Sequence, residues 1–155
     1  MNYIIKSPET ELEWDKYFKF RWEMLRKPLG MSKETLKDKL EDESRHLIAV
    51  DEQKIVVGTG RLHFNNNKEA QIRYMAVSNT IQRKGLGSEI VSALEAIARK
   101  KGIREIVLNA RENAISFYLS MGYKETEPYE SDTGIPHITC LLYTSPSPRD
   151  LSTSR

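Results

Sequence analysis

The chain has 155 residues, 39% of them hydrophobic, enough for one domain with a buried core. Its 24 Lys and Arg nearly balance 22 Asp and Glu, leaving a formal charge of +2, which excludes a nucleic-acid binder that works by bulk charge. One cysteine excludes an intramolecular disulfide framework and a multi-cysteine zinc site; the apolar runs are too short to cross a bilayer and no secretory leader is legible, so a cytoplasmic protein is expected.

In chain order, residues 3–6 read as a short strand stopped by Ser7 and Pro8. Residues 10–27 carry Leu12, Tyr17, Phe20, Met24 and Leu25 at helical spacing, and Pro28 and Gly30 end that helix. Ser32 is placed to cap a second, surface helix whose apolar positions Leu36 and Leu40 are four apart. Residues 47–50 and 55–64, joined by a turn at 51–54, form a predicted hairpin, and Asn65, Asn66, Asn67 and Lys68 turn the chain into a strand over 70–77. Three antiparallel strands are therefore expected in succession.

The pattern then changes to strand, loop, helix, strand. Residues 78–87 lead into a helix with Leu86, Ile90, Val91, Leu94, Ile97 and Ala98 on one face, ending at Gly102. Ile106, Val107 and Leu108 read as a buried strand, so this unit is a right-handed crossover with a parallel pair. Asn113 precedes and is expected to cap a short helix over 114–121, which Gly122 ends; residues 123–129 and 138 onward supply two last strands.

Composition shifts at the C-terminus, where residues 144–155 hold almost no apolar side chains and two closely spaced prolines and are expected to be disordered. Residues 140–150 resemble a translated DNA-sequencing adapter. Residues 1–139 are then the expected native domain and 140–155 an appended tail, of which 140–143 can complete the last strand; an ordinary flexible tail is the alternative. On the adapter reading Cys140 is incidental and is no nucleophile.

The chemistry concentrates at Gln82, Arg83, Lys84, Gly85, Leu86, Gly87 and Ser88, a loop opening a helix. Unpaired backbone N–H groups and the helix dipole there favour an anion, two glycines allow close backbone approach, and Arg83 and Lys84 add charge suited to a pyrophosphate. No Gly-Lys-Ser or Gly-Lys-Thr follows, which disfavours an ATP-type loop. The same pattern also suits a helix start that holds no ligand.

Three blocks in order, at 73–77, 82–87 and 113–123, resemble the GCN5-related N-acetyltransferase (GNAT) family, and residues 134–138 following Glu130 resemble its small ElaA-like branch. The resemblance implies an α/β, three-layer fold: a central mixed, mostly antiparallel sheet of about seven strands, splayed open after the strand ending at Val77 and flanked by about four helices. It implies acetyl-coenzyme A as co-substrate, its pyrophosphate on the backbone around 83–88, its pantetheine beside Met75, Ala76 and Val77, and a main-chain N–H near Ala76 or Val77 on the thioester oxygen. Asn113 becomes a cofactor contact, and Tyr118 the donor that protonates the departing thiolate. The expected reaction is direct attack by a primary amine of a small molecule or peptide, in a ternary complex; the alternative is a coenzyme A-binding module without turnover.

The base is left open. Some relatives carry a glutamate where this chain has Asn109, and an amide takes no proton. Glu112, Glu130 and His137 are candidates, with Glu130 and His137 first, and an amine that deprotonates to solvent needs none of them. His46 and His63 read as structural, and no His or carboxylate spacing suggests a metal site. The acceptor pocket is expected between the first two helices, the hairpin ends and residues 128–137, where Arg21, Trp22 and Arg26, with Arg61 and Arg73, either form an electropositive wall for an acidic acceptor or are solvated basic surface beside a packed tryptophan. No nucleic-acid or membrane partner is expected, and the chain is expected to be a monomer or homodimer.

Overall fold

The computed structural model describes residues 2–81 and 85–144. The expectations for Gln82, Arg83 and Lys84, and for the tail from residue 145 onward, fall outside the described residues. The elements are β1 (Ile4–Lys6), α1 (Glu11–Leu25), β2 (Arg45–Val50), β3 (Val56–Phe64), β4 (Glu69–Val77), α2 (Leu86–Lys100), β5 (Glu105–Arg111), α3 (Ile115–Ser120), β6 (Lys124–Glu130) and β7 (Pro136–Tyr143). One seven-stranded sheet runs β1-β2-β3-β4-β5-β7-β6, and every neighbouring pair is antiparallel except β4 with β5.

Local chemistry sets the element boundaries. Thr10 opens α1 with a capping box: its hydroxyl accepts the Glu13 N–H at 3.1 Å, and the Glu13 carboxylate accepts the Thr10 N–H at 3.3 Å. The helix closes at Arg26, two residues before Pro28. α1 packs on β3 and β4 from one side of the sheet, while α2 packs on β2, β3 and β4 from the other and α3 joins α2 against β5 and β6. The main core lies on the α2 side, where Leu62, Ile72, Ile90, Leu94, Ile106 and Leu108 have at most 3% of their surface exposed. β6, an edge strand, is exposed along its length and carries Lys124, Glu125, Glu127, Pro128 and Glu130, which discourage pairing with another chain.

Two expectations are corrected. The segment after Ser32 forms no surface helix but short 3-10 turns at Lys33–Thr35 and Glu41–Glu43, so the described residues hold three α-helices rather than about four. The physical reason is that the Leu36 carbonyl and the Asp38 and Glu41 carboxylates all turn inward to arginines of α1 and β3. Asn113 does not cap α3; it lies in a 3-10 turn, Glu112–Ala114, and Ala114 is the N-cap, without a side-chain bond. At the other end, residues 140–143 belong to β7, paired with β5, and Thr144 is tied by its N–H to the Arg104 carbonyl and by its hydroxyl to the Ile103 carbonyl.

Gly58 and Gly60 let α2 lie close on β3. A Cβ at Gly60 would sit 2.8 Å from the Met75 sulfur and 2.9 Å from methyls of Ile90 and Leu94. Gly60→Ala is expected to lower stability by about 1–3 kcal/mol through overpacking; a shift in the denaturant midpoint measures it, and an unchanged midpoint would contradict the close approach.

Candidate active site

The parallel pair β4–β5 is short. Only Glu69, Ala70 and Gln71 pair with Glu105, Ile106 and Val107, although β4 continues to Val77 and β5 to Arg111. Each strand keeps its other partner beyond that point: Val77 stays opposite Gly58 of β3, and β5 pairs with β7 along its full length. The two strands therefore part inside β4, earlier than its end at Val77, and a cleft opens between the halves of the sheet.

On the α2 side, the cleft meets the start of α2. Gly85 is the N-cap with φ +83°, among the described residues no side chain caps this end, and the first intrahelical bond runs from the Glu89 N–H to the Gly85 carbonyl. The first-turn N–H groups of Leu86, Gly87 and Ser88 therefore precede the helix's own ladder, as an anion site requires. A Cβ on Gly87 would point between Phe117 of α3, at 3.5 Å, and Val77 of β4, at 3.6 Å. Met75 and Val77 pack against the same core, and Tyr118, 6% exposed, stands within it, edge-on to Phe117 and Tyr123. Burial pushes the Tyr118 phenol above its ordinary pKa, so it holds its proton at neutral pH. A shallow depression of about 420 Å³ also borders this helix start at Ser88, Glu89 and Ser92; another, of about 440 Å³, lies away from the cleft, by Trp14, Phe18 and His46.

On the α1 side, β4 carries a bulge. Thr59 pairs with Ala76 but Arg61 with Arg73, so Tyr74 and Met75 together face Gly60. Tyr74 adopts φ +58°, a costly conformation for a side chain of its size, and the extra residue turns its ring to the α1 side while Met75 points to the α2 side. Four guanidinium groups surround that ring: Arg21 at 3.7 Å from its centre, Arg61 and Arg73 at 4.8 Å, and Arg26 at 5.5 Å. Arg21 and Arg61 are 0% exposed. Arg21 forks onto both Glu41 oxygens at 3.0 and 2.9 Å, and Arg61 onto both Asp38 oxygens at 2.8 and 2.9 Å. Arg73 reaches Asp38 at 3.2 Å. The expected basic wall is thus corrected: Arg21 and Arg61 are neither a ligand wall nor solvated surface but a neutralised interior pair, whereas Arg26 and Arg73 stay half-buried.

His46 and His63 belong to the same network. His46 Nδ1 meets the Tyr17 hydroxyl at 2.6 Å and its Nε2 the Glu41 carbonyl at 2.8 Å; His63 Nδ1 meets Arg61 at 3.1 Å. Burial holds both below the ordinary histidine pKa, with the arginine charges acting the same way.

The remaining candidates separate by register. β5 sends Ile106, Leu108 and Ala110 to the α2-side core, so Val107, Asn109 and Arg111 face the α1 side. Arg111, His137 and Tyr129 stand opposite one another across β5, β7 and β6, which puts His137 on that face, half-buried at the cleft end of the sheet. Its Nδ1 donates to the Ile135 carbonyl at 2.6 Å, leaving Nε2 as the lone-pair nitrogen of the neutral ring. Glu130 pairs with Pro136 one position further, is exposed and sits on the opposite face, so the two proposed bases do not converge. Glu112 and Asn113 are exposed, and Asn109 accepts the Thr139 hydroxyl at 2.6 Å. Cys140 is buried. Among the described residues no cluster of His, Cys, Asp or Glu could hold a metal, and no helix is long and apolar enough to cross a membrane. Sequence reasoning missed three participants, Asp38, Glu41 and Tyr74: the two acids read as part of a solvated helix, and nothing in the letters marks a tyrosine with positive φ.

Burial alone would raise the Asp38 carboxyl, but the Arg61 hydrogen bonds, the Leu40 N–H and the charges of Arg61 and Arg73 outweigh it and hold the pKa at about 2; Glu41 is likewise held low by Arg21 and Arg61. Because these folded-state values lie below the ordinary ones, the stability they confer is complete above about pH 5 and is lost as pH falls toward 2. With the Asp38 side chain still 26% exposed, its share is discounted for solvent screening to about 1 kcal/mol. Asp38→Asn should flatten that acid limb in urea midpoints measured from pH 6 to 2; an equally steep limb would contradict the assignment.

Comparison with known proteins agrees with this architecture. The family described as the acetyltransferase (GNAT) domain matches residues 25–141. An uncharacterized N-acetyltransferase of Bacillus subtilis (strain 168), YjcF, is 32% identical over 142 residues, covering 91% of this chain and 99% of its own length. Among solved structures, an aminoglycoside 6'-N-acetyltransferase complexed with coenzyme A superposes with a TM-score of 0.77 at 18% identity, covering 94% of this chain and 99% of that one. Escherichia coli ElaA gives 0.74 at 20% identity, over 91% and 99%. At those identities the two structures share the fold. The parted parallel strands, the uncapped α2 beside them and the match over most of the chain lead to one conclusion: this chain belongs to the GNAT acetyltransferase family.

Proposed function

We propose that the protein transfers the acetyl group of acetyl-coenzyme A to a primary amine of a small molecule or peptide, both substrates being bound together. The observation that carries this reading is the parting of β4 from β5 after three parallel pairs, directly beside the uncapped start of α2. The coenzyme A held by the aminoglycoside acetyltransferase neighbour and the N-acetyltransferase name of the Bacillus relative support it.

In this reading the residues around the α2 start, from Gln82 to Ser88, cradle the pyrophosphate, and the pantetheine lies in the cleft beside Met75, Ala76 and Val77, with Asn113 at its rim. The main chain of β4 past the bulge donates to the thioester oxygen and stabilises the charge that develops there. The acceptor enters from the α1 side, because the opposite face is filled by α2 and α3. Its amine attacks the acetyl carbon, the carbon–sulfur bond breaks, and Tyr118 gives its proton to the thiolate. We assign the base to His137, on the α1 face with Nε2 free to accept a proton, rather than to exposed Glu130. Direct attack requires no covalent enzyme intermediate, and buried Cys140 is given no part in it.

Calorimetric titration of acetyl-coenzyme A, followed by an amine screen that detects released thiol, tests the assignment. Saturable binding is expected for the wild type, with loss in Gly87→Val, which fills the space between Val77 and Phe117, and retention in Tyr118→Phe with turnover reduced about 100-fold or more. A folded wild type that does not bind acetyl-coenzyme A would overturn the reading. Binding with no turnover on any amine would favour a coenzyme A-binding module instead.

A further inference from the structure

The guanidinium groups around Tyr74 outnumber the carboxylates that serve them. Arg21, Arg26, Arg61 and Arg73 share one ring, and among the described residues the acids bonded to this group are Asp38 and Glu41. Both acids are committed to fully buried arginines, with Asp38 also shared by Arg73. The two histidines in the network are held toward their neutral forms and do not change the balance. Two positive charges are therefore left over, and they fall at the exposed end of the cluster.

Arg26 is the clearest case. It stands at the C-cap of α1, its Nε is buried without a hydrogen-bond partner, as are those of Arg21 and Arg61, but among the described residues its side chain bonds no acid, only the neighbouring Leu25 carbonyl, from Nη1 at 3.2 Å. Burial depresses its pKa and the charges of Arg73, Arg21 and Arg111 act the same way, against an opposing contribution from Tyr74. Among the described residues neither Arg26 nor Arg111 has a carboxylate within 4 Å. Half-buried guanidinium groups without an acid of their own are available to an anion that the chain does not supply.

Their position says which anion. Tyr74 and Arg73 lie on β4 where it has left β5, Arg111 ends β5 on the same face, and His137 stands beside Arg111. This face is the one not occupied by α2 and α3, hence the side from which an acceptor reaches the cleft. Planar guanidinium forks match a carboxylate bidentately, and in such a partly desolvated place the match discriminates strongly against a neutral amide.

We propose that the acceptor is an amine that also carries a carboxylate, held by Arg26, Arg73 and Arg111 so that its amino group faces the cleft beside His137. The proposal rests on the acetyltransferase reading for the amine, but the anion site stands on the arginines alone and is measured separately. The first measurement is calorimetric binding of free L-amino acids and their primary carboxamides without any coenzyme A, with O-phosphoethanolamine as the phosphate-bearing amine. The second is kcat/KM for the same compounds with acetyl-coenzyme A, and for a short peptide with a free N-terminus and a glutamate at its second position, which separates a free amino acid from an acidic peptide as the source of the carboxylate.

Carboxylates should bind and react at least ten-fold better than their carboxamides. That preference should fall to about three-fold or less in Arg26→Met and in Arg111→Met, and Arg26→Lys, which keeps charge but loses the fork, should fall between. Equal use of carboxylates and carboxamides, a preference for the phosphate-bearing amine, or a carboxylate preference that survives both Met variants would overturn the proposal while leaving acetyl transfer intact. Carboxylate binding that persists in a protein unable to bind acetyl-coenzyme A would uphold the anion site and sink the acetyltransferase reading instead.

Discussion

Two guanidinium groups without exposed surface, those of Arg21 and Arg61, set the terms for the α1 side of the sheet. An unpaired buried charge would cost several kcal/mol, so each needs a carboxylate held in place beside it. Glu41 and Asp38 supply them, and supplying them keeps residues 33–44 from forming a regular helix, because their polar groups are directed inward. Tyr74 covers the pair with its ring and adopts a positive φ to do so, which makes the bulge that separates the two faces of β4. The interior charge pairs, the irregular segment and the bulged strand are thus one arrangement.

That arrangement explains why the two faces of the cleft differ. On the α2 side, glycines at 58 and 60 bring α2 against β3, and an apolar core surrounds Tyr118. On the α1 side, the surface beyond the neutralised pair is half-buried, basic and polar, with Arg26, Arg73, Arg111 and His137 on or above it. A thioester donor with an anionic tail suits the first side, where a helix start points into the cleft. A polar acceptor suits the second. Direct transfer needs the two to meet where β4 and β5 have separated, and three parallel residue pairs hold the strands together below that point.

Most of the scaffold was legible because its signals are local and periodic. The six apolar positions of α2, the apolar runs at 47–50 and 55–57 and the turn at 65–68 each depend on residues near one another in the chain, and all appear in the structure. The parallel pair followed from the crossover. What could not be read depends on partners far apart in sequence. Asp38 and Glu41 look like solvated acids until Arg61 and Arg21 are brought to them, and Leu36 and Leu40 at helical spacing then mislead. The bulge has no glycine to announce it. Alternation did carry the information that His137 and Glu130 face opposite ways, but only once β6 and β7 were in register. The motif at 82–88 remains tied to the described structure through Gly85, Leu86, Gly87 and Ser88.

In the proposed reading the cleft opened by the parting of β4 from β5 receives the donor. Amide hydrogen exchange, read residue by residue with and without acetyl-coenzyme A, tests it directly. Slower exchange is expected only at residues 72–77, 85–88 and 108–111, with β1 to β3 unchanged. Protection that bypasses the parted ends of β4 and β5, or that appears only away from the start of α2, would contradict it.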